Sequence, residues 1–492
     1  MDQGFMHYIA YLINEHGFVP YRDIFELNMP VSYLFHMAVG KFFGYSDQAF
    51  SAVNIAWLTA TFAVTWLIMK PFGRVIAFTS CLLFGIVYLR IGSLVMLQRD
   101  LIAILPMATA LLITTGRTPL HRNNLINFFN GVLFAIAALI KPHLVIGLPA
   151  MIIYNCTHSK NRTNSLKTII KECIIGGLFA LLGFIITLVI PLLWLWKIGA
   201  IEAFWNILSS YIPLYGEISG KFTIVESDRT VGYLLYNTFD SLKQSHTGGL
   251  LITALLGVGL VLKSSLSVVK KKLALLLFSL TLLYVVYVVI GGKFWIYHWM
   301  PFMYFACLCT PLLLLTSSSF VKLSRTNIIR FFLFIFLALM LTVHPIKQIL
   351  YNREPLWLSG TNYYTRVEEI ETYLNKNLSL DDKVQPLDWI AGGSVQAMLL
   401  SKAVVATPYV TDFQFYHHVS NPYIQSLRKN FITELEKEMP KFIIKVETIS
   451  KISGTDTNYS FPKLEEFIKQ HYSKDYIGTG FDIYRRDDES RN

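Results

Sequence analysis

Charge is what this chain has least of. Only 15% of its 492 residues are Asp, Glu, Lys or Arg, where a soluble globular protein carries roughly 25%, and the shortage excludes water as the main solvent. Cysteine is sparse as well: Cys81, Cys156, Cys173, Cys307 and Cys309 all lie in apolar runs with no CxxC spacing. They read as small packing residues rather than disulfides or metal ligands, and they say nothing about redox compartment. Internal repeats and low-complexity tracts are absent. What the chain does have is apolar surface, with 53% hydrophobic and 14% aromatic residues and a mean hydropathy of +0.46. That composition excludes a disordered or nucleic-acid-binding chain, despite a net charge of +11 and a pI near 9.2. The meaning of the charge lies in its placement.

A helix rises about 1.5 Å per residue and the hydrocarbon core of a bilayer is about 30 Å thick, so apolar runs of roughly 17 to 25 residues are candidate spans. About ten are predicted, at 48–69, 74–91, 100–115, 125–140, 143–157, 172–196, 248–263, 273–291, 297–316 and 328–344. The runs 125–140 and 143–157 also read as one kinked pair. Counting alternate loops as cytoplasmic, the segments 70–74, 116–124, 158–171, 263–272 and 317–330 hold 15 Lys and Arg and no Asp or Glu. Eleven of the twelve acidic residues before position 345 fall on the other side; only Glu172 sits near a cytoplasmic end. Because the bias recurs at every cytoplasmic turn, the positive-inside rule orients the whole chain. It places 1–47, 92–99, 141–142, 197–247, 292–296 and everything after 344 outside the cytoplasm, in an integral plasma (inner) membrane protein.

Composition changes after His344 and Pro345, where the last 148 residues hold 20 of the 32 acidic side chains. Residues 345–492 are predicted to form an extracytoplasmic soluble α/β domain, with helices near 363–377 and 422–438 and strands near 403–410, 441–446 and 480–485. Residues 1–344 would be the transmembrane core. Within it, 1–47 reads as a first extracytoplasmic loop with interfacial helices at 5–15 and 30–43, and 197–247 as a long second one. The alternative for 30–43 is a short true span, which would put Asp2 on the cytoplasmic side.

Several short motifs lie on the outer face in order: Asp2-Gln3-Gly4, Tyr21-Arg22-Asp23-Ile24-Phe25, Asn28-Met29-Pro30, Gln98-Arg99-Asp100, Lys141-Pro142-His143, and Gly292-Lys293 with Tyr297-His298. Together they resemble the GT-C superfamily of integral membrane glycosyltransferases, which includes protein O-mannosyltransferases and aminoarabinose transferases. Phe461-Pro462 through Tyr484-Arg485-Arg486 is similar to the closing segment of bacterial members. The weight rests on the shared order and side of the motifs, since no single one is specific. Members of the superfamily carry a transmembrane helix before the loop that begins here at Asp2, so Met1 is expected to be an internal start or the chain a fragment. Where Gln3 and Asn28 stand, relatives often carry an acidic pair or a basic residue.

The resemblance implies transfer of a sugar from a polyprenyl-phosphate-linked donor to a cell-envelope acceptor (lipid A, a polysaccharide or a protein), with inversion. Such a reaction needs a base for the acceptor hydroxyl and cations for the departing phosphate. Asp2 is the expected base, and Asp100 the expected second catalytic carboxylate, positioning the acceptor or a metal. Arg99, Lys141, His143, Lys293, Tyr297 and His298, with Arg22 and Asp23, are the expected donor-phosphate or substrate contacts. Each has a plainer reading: Asp2 as a solvated carboxylate near a terminus, Asp100 as half of a local ion pair with Arg99, Lys141 as an interfacial anchor, and Lys293 and Tyr297 with their neighbouring tryptophans as an aromatic belt. Divalent-metal dependence varies within the superfamily, and no ligand cluster in the sequence decides it. The rival class is a polytopic transporter or lipid flippase without chemistry, which would place charges deep within spans. Nearly all charges here fall near predicted span ends.

Overall fold

The computed structural model describes residues 2–116, 123–157, 166–224, 231–244, 247–315, 325–351, 362–389, 392–447 and 452–487. Every expected span is helical, but in different degrees of continuity. Asp47–Phe72, Arg74–Val95, Asn123–Ile140, Leu166–Lys197 and Val268–Gly291 are long and apolar enough to cross a membrane as single elements, five among the described residues. The others are shorter or broken. The expected span 100–115 is split at Ala103 into Arg99–Ile102 and Ile104–Thr114, and 297–316 is a run of short turns, Ile296–Trp299, Met300–Cys309 and Thr310–Leu314. Prolines at the second position of the last two pieces, Pro301 and Pro311, deprive the preceding turn of an N–H and reset the helix there. Thr247–Lys263 and Pro142–Thr157 are likewise shorter than a full span.

Packing divides the chain into two compact units. One comprises Asn54–Pro191 and Arg229–Arg353, the other Met1–Val53, Leu192–Asp228 and Glu354–Asn492. This division falls at Arg353/Glu354 where 344/345 was expected. The C-terminal residues do not stand alone, because their apolar core is continuous with that of two other segments, both of which charge counting assigned to the same face. Pro191, inside the helix Leu166–Lys197, marks one of the crossings between units.

In the second of these units, the C-terminal residues supply a five-stranded sheet in the spatial order 404–405, 383–387, 442–446, 481–486, 472–478. The first three strands are parallel and the last two antiparallel. The strand 383–387 and the helix Ser394–Leu400 were not predicted; the expected strand 403–410 shrinks to two residues. The helix Asp2–His16 packs against Ser394–Leu400 instead of lying on a lipid surface as predicted. Phe5 through Leu12 are buried without a polar face, so the helix needs cover on all sides. Its two tyrosine hydroxyls are satisfied across that contact, Tyr8 donating to the Ala403 carbonyl at 2.9 Å and Tyr11 to that of Lys402 at 3.1 Å. A Cβ on Gly4 would lie 1.9 Å from Gln396 Oε1, the tip of a flexible side chain that can turn aside. The segment 201–217 is tied in by a file of hydrogen bonds: Tyr211 hydroxyl to His417 Nε2 at 2.9 Å, His417 Nδ1 to His418 Nδ1 at 2.8 Å, and His418 Nε2 to Glu217 Oε2 at 2.8 Å.

The other unit is a helical body held by close backbone approach. A Cβ on Gly131 would meet the Ala180 carbonyl oxygen at 1.9 Å and one on Gly183 the Phe128 carbonyl at 2.1 Å, so Asn123–Ile140 and Leu166–Lys197 pack through small residues as membrane helices do. Leu178, Leu182, Ile186 and Ile190 on the outer side of Leu166–Lys197 remain exposed, as a lipid-facing surface requires.

Candidate functional site

The site is built where four helix ends of the helical body meet. Arg99–Ile102 starts after Gln98, whose side-chain oxygen accepts from the Arg99 N–H at 2.6 Å, a local cap that fixes the next two side chains. Val268–Gly291 stops because Gly292 adopts the left-handed conformation at φ 63° and its N–H returns to the Val288 carbonyl at 3.1 Å, closing the helix end. The turns Pro142–Gly147 and Ile296–Trp299 pack against these two elements.

Asp100 lies at the centre and is fully buried. Lys141 Nζ donates to both of its oxygens, at 3.2 Å to Oδ1 and 3.0 Å to Oδ2, and the Tyr287 hydroxyl donates to Oδ1. The Lys141 ammonium also stands 5.2 Å from the centre of the Tyr287 ring and 5.9 Å from that of Tyr297, close enough for both faces to attract it. Around this pair, His298 is buried and lies in the fields of Lys141, Arg99, Lys293 and His143. Its ring packs on Tyr297 at 4.7 Å and on Trp295 at 5.4 Å. A dense set of cations with a single carboxylate and an aromatic wall is suited to receiving a polyanion.

The remaining expected residues belong to the other unit. Arg22 grips its neighbour Asp23 through two bonds, Nε to Oδ1 at 2.8 Å and Nη2 to Oδ2 at 3.0 Å. Asp23 also accepts the Val19 N–H at 2.9 Å, across a turn in which Tyr21 takes φ 67°. Burial tends to raise the Asp23 carboxyl, but the Arg22 guanidinium and the Val19 N–H outweigh it and hold the group below its ordinary range. This pair staples a turn. Asp2 is the first residue of the helix Asp2–His16, and its side chain lies outside those described.

Among solved structures, the chain is similar to ArnT from Cupriavidus metallidurans bound to undecaprenyl phosphate, with a TM-score of 0.57 at 10% identity over 100% of this chain and 94% of that one. The apo state of the same protein matches with a TM-score of 0.56 at 9% identity, over 99% and 94%. The chain has the GT-C fold. This bears out the fold that the ordered motifs implied, with a helical membrane body and a C-terminal α/β portion. An archaeal oligosaccharyltransferase, AglB from Archaeoglobus fulgidus, gives a TM-score of 0.41 at 12% identity over 90% of this chain and 65% of that one. No family model and no curated protein matches the sequence.

Within this GT-C fold, seven expected residues from three separate stretches of sequence converge: Arg99, Asp100, Lys141, His143, Lys293, Tyr297 and His298. Both Asp100 oxygens accept from Lys141, one also from Tyr287, and the side chain has no exposed surface. Among the described residues, no three His, Cys, Asp or Glu converge as metal ligands. Tyr287 was missed because it sits inside an apolar span, VVKKKLALLLFSLTLLYVVYVVIG, where tyrosine looks like packing. The signal was its position, one turn from the C-terminal end of the helix.

Proposed function

We propose that the chain is a membrane glycosyltransferase that moves a sugar from a polyprenyl-phosphate-linked donor to a cell-envelope acceptor on the extracytoplasmic side of the plasma membrane. The observation that carries this reading is the cluster of Arg99, Lys141, His143, Lys293 and His298 around one buried carboxylate, in the fold of a protein solved with undecaprenyl phosphate. Cations gathered at span ends suit a phosphate at the headgroup plane whose lipid tail stays in the bilayer. A conduction path would instead distribute such groups through the membrane.

In this reading Arg99, Lys141, His143, Lys293 and His298 neutralise the donor phosphate as it leaves the anomeric carbon, and Tyr297 lines their pocket with its ring. Asp2 takes the proton of the acceptor hydroxyl as its oxygen bonds to that carbon from the opposite face. Asp100 holds Lys141 in place. The outer side is supported by the positive-inside count and by the shared core of Met1–Val53, Leu192–Asp228 and Glu354–Asn492, the stretches that the count assigns to one face.

Sugar transfer from a lipid-linked donor, measured in membranes containing the wild type, Asp2→Asn or Lys141→Met, tests the proposal. Loss of a positioned base is expected to lower the rate by about 10² to 10⁴. Equal rates in the wild type and Asp2→Asn would remove Asp2 as base, and full activity in Lys141→Met would end the phosphate-site assignment.

A further inference from the structure

Tyr287 touches both members of the central ion pair in different ways. Its hydroxyl donates to Asp100 Oδ1, and its ring face stands 5.2 Å from the Lys141 ammonium. It is itself fully buried, on a helix whose end is fixed by Gly292. A carboxylate in a dry site that faced only Lys141 would concentrate its charge on that ammonium. A hydroxyl donated to the same carboxylate takes up part of that charge, and a ring face offers the ammonium a second, weaker partner.

We propose that Tyr287 is a positioning residue for the lipid-linked phosphate: by donating to Asp100 it slackens the carboxylate's hold on Lys141, so that Lys141 can share its charge with an incoming phosphate. The inference rests on the donor-phosphate reading above and adds a residue that sets how strongly that phosphate is held. Two consequences follow. Removing the hydroxyl tightens the Asp100–Lys141 pair and weakens phosphate binding. That weakening depends on the charge of Asp100 and vanishes when the charge is gone.

The experiment is equilibrium binding of radiolabelled undecaprenyl phosphate to the full-length chain in detergent micelles. Tyr287→Phe keeps the ring and loses the hydroxyl, and it is expected to raise Kd about tenfold. In the Asp100→Asn background, the same substitution is expected to change Kd by less than twofold. Tyr304→Phe, which removes another buried hydroxyl bond, 2.9 Å from Thr65 Oγ1, is the control for general damage and should bind as the wild type does. If Tyr287→Phe does not yield folded protein, replacement of Tyr287 by difluorotyrosine, a stronger donor of similar shape, is expected to lower Kd. Binding by Tyr287→Phe within twofold of the wild type would overturn the inference, as would an undiminished effect in the Asp100→Asn background or no change with difluorotyrosine. Absence of binding by the wild type would remove the lipid-phosphate reading and this inference with it.

Discussion

Two buried aspartates, one in each compact unit, show how differently a fold handles the same side chain. Asp100, in the helical body, is bonded through both oxygens to Lys141 and through one to Tyr287. Asp412, in the unit that contains the sheet, has an oxygen with no partner among the described residues and is bonded to the Tyr416 hydroxyl. Burial, aided by the charge of nearby Asp388, pushes Asp412 up to about 7, and burial pushes Asp388 to about 6 against its bonds to Ser394. Asp100 has an ammonium bonded to it, whereas burial outweighs the charge of Lys445 at Asp412 and that of Arg366 at Asp388.

Breaking the ion pair is the sharpest way to expose that difference. Removing one partner of a buried pair leaves a charge without compensation and typically costs about 3–5 kcal/mol, whereas removing both costs less. Asp100→Leu and Lys141→Met are each expected to lower the yield of monodisperse protein after heating, and the double substitution to recover part of it, while sugar transfer stays lost in all of them. Should the double variant be no more stable than either single one, the pair would not be the unit of stability described here.

The Asp412 side of the comparison shows itself in pH dependence. Unfolded, Asp388 and Asp412 ionise near pH 4; folded, they hold their protons to about 6 and about 7. The folded state therefore binds more protons between pH 4 and 7, and stability falls as pH rises through that window, by up to about 1.4 kcal/mol per pH unit for each group, and then levels off. Asp412→Asn is expected to flatten the slope and to stabilise the sheet at pH 8. Hydrogen exchange of the strand 383–387 in the full chain, corrected for its intrinsic pH dependence, measures this; an unchanged slope in the variant would assign the titration elsewhere.

What the sequence disclosed follows the same division. The spans, the C-terminal helices 363–377 and 422–438, and the strands 442–446 and 481–486 were legible because each carries its own period or an uninterrupted apolar run. The cation cluster was legible because ionisable residues at span ends are conspicuous in an apolar sequence. Tyr287 and the file Tyr211, His417, His418 and Glu217 were not, since each depends on contacts between residues far apart in the chain and none alters local composition. The helix Asp2–His16 was found, but not its burial. A short, mainly apolar helix suits lipid or protein alike, and the Tyr8 and Tyr11 bonds that settle the matter involve carbonyls nearly four hundred residues away.

The smallest effect belongs to Arg22 and Asp23, the ion pair that the sequence grouped with the substrate contacts. Unlike the Asp100 pair it is half-exposed, with side-chain exposures of 52% and 34%, so water screens it and its worth is about 0.2–1 kcal/mol. Arg22→Ala is accordingly expected to lower stability by less than about 1 kcal/mol and to leave sugar transfer within twofold of the wild type. Asp23→Ala should cost more than Arg22→Ala, because it also strips the Val19 N–H of its acceptor in a turn that holds Tyr21 at positive φ. That inequality distinguishes a stapled turn from a substrate contact, for which the arginine would matter more. A tenfold loss of transfer in Arg22→Ala would return the pair to the site.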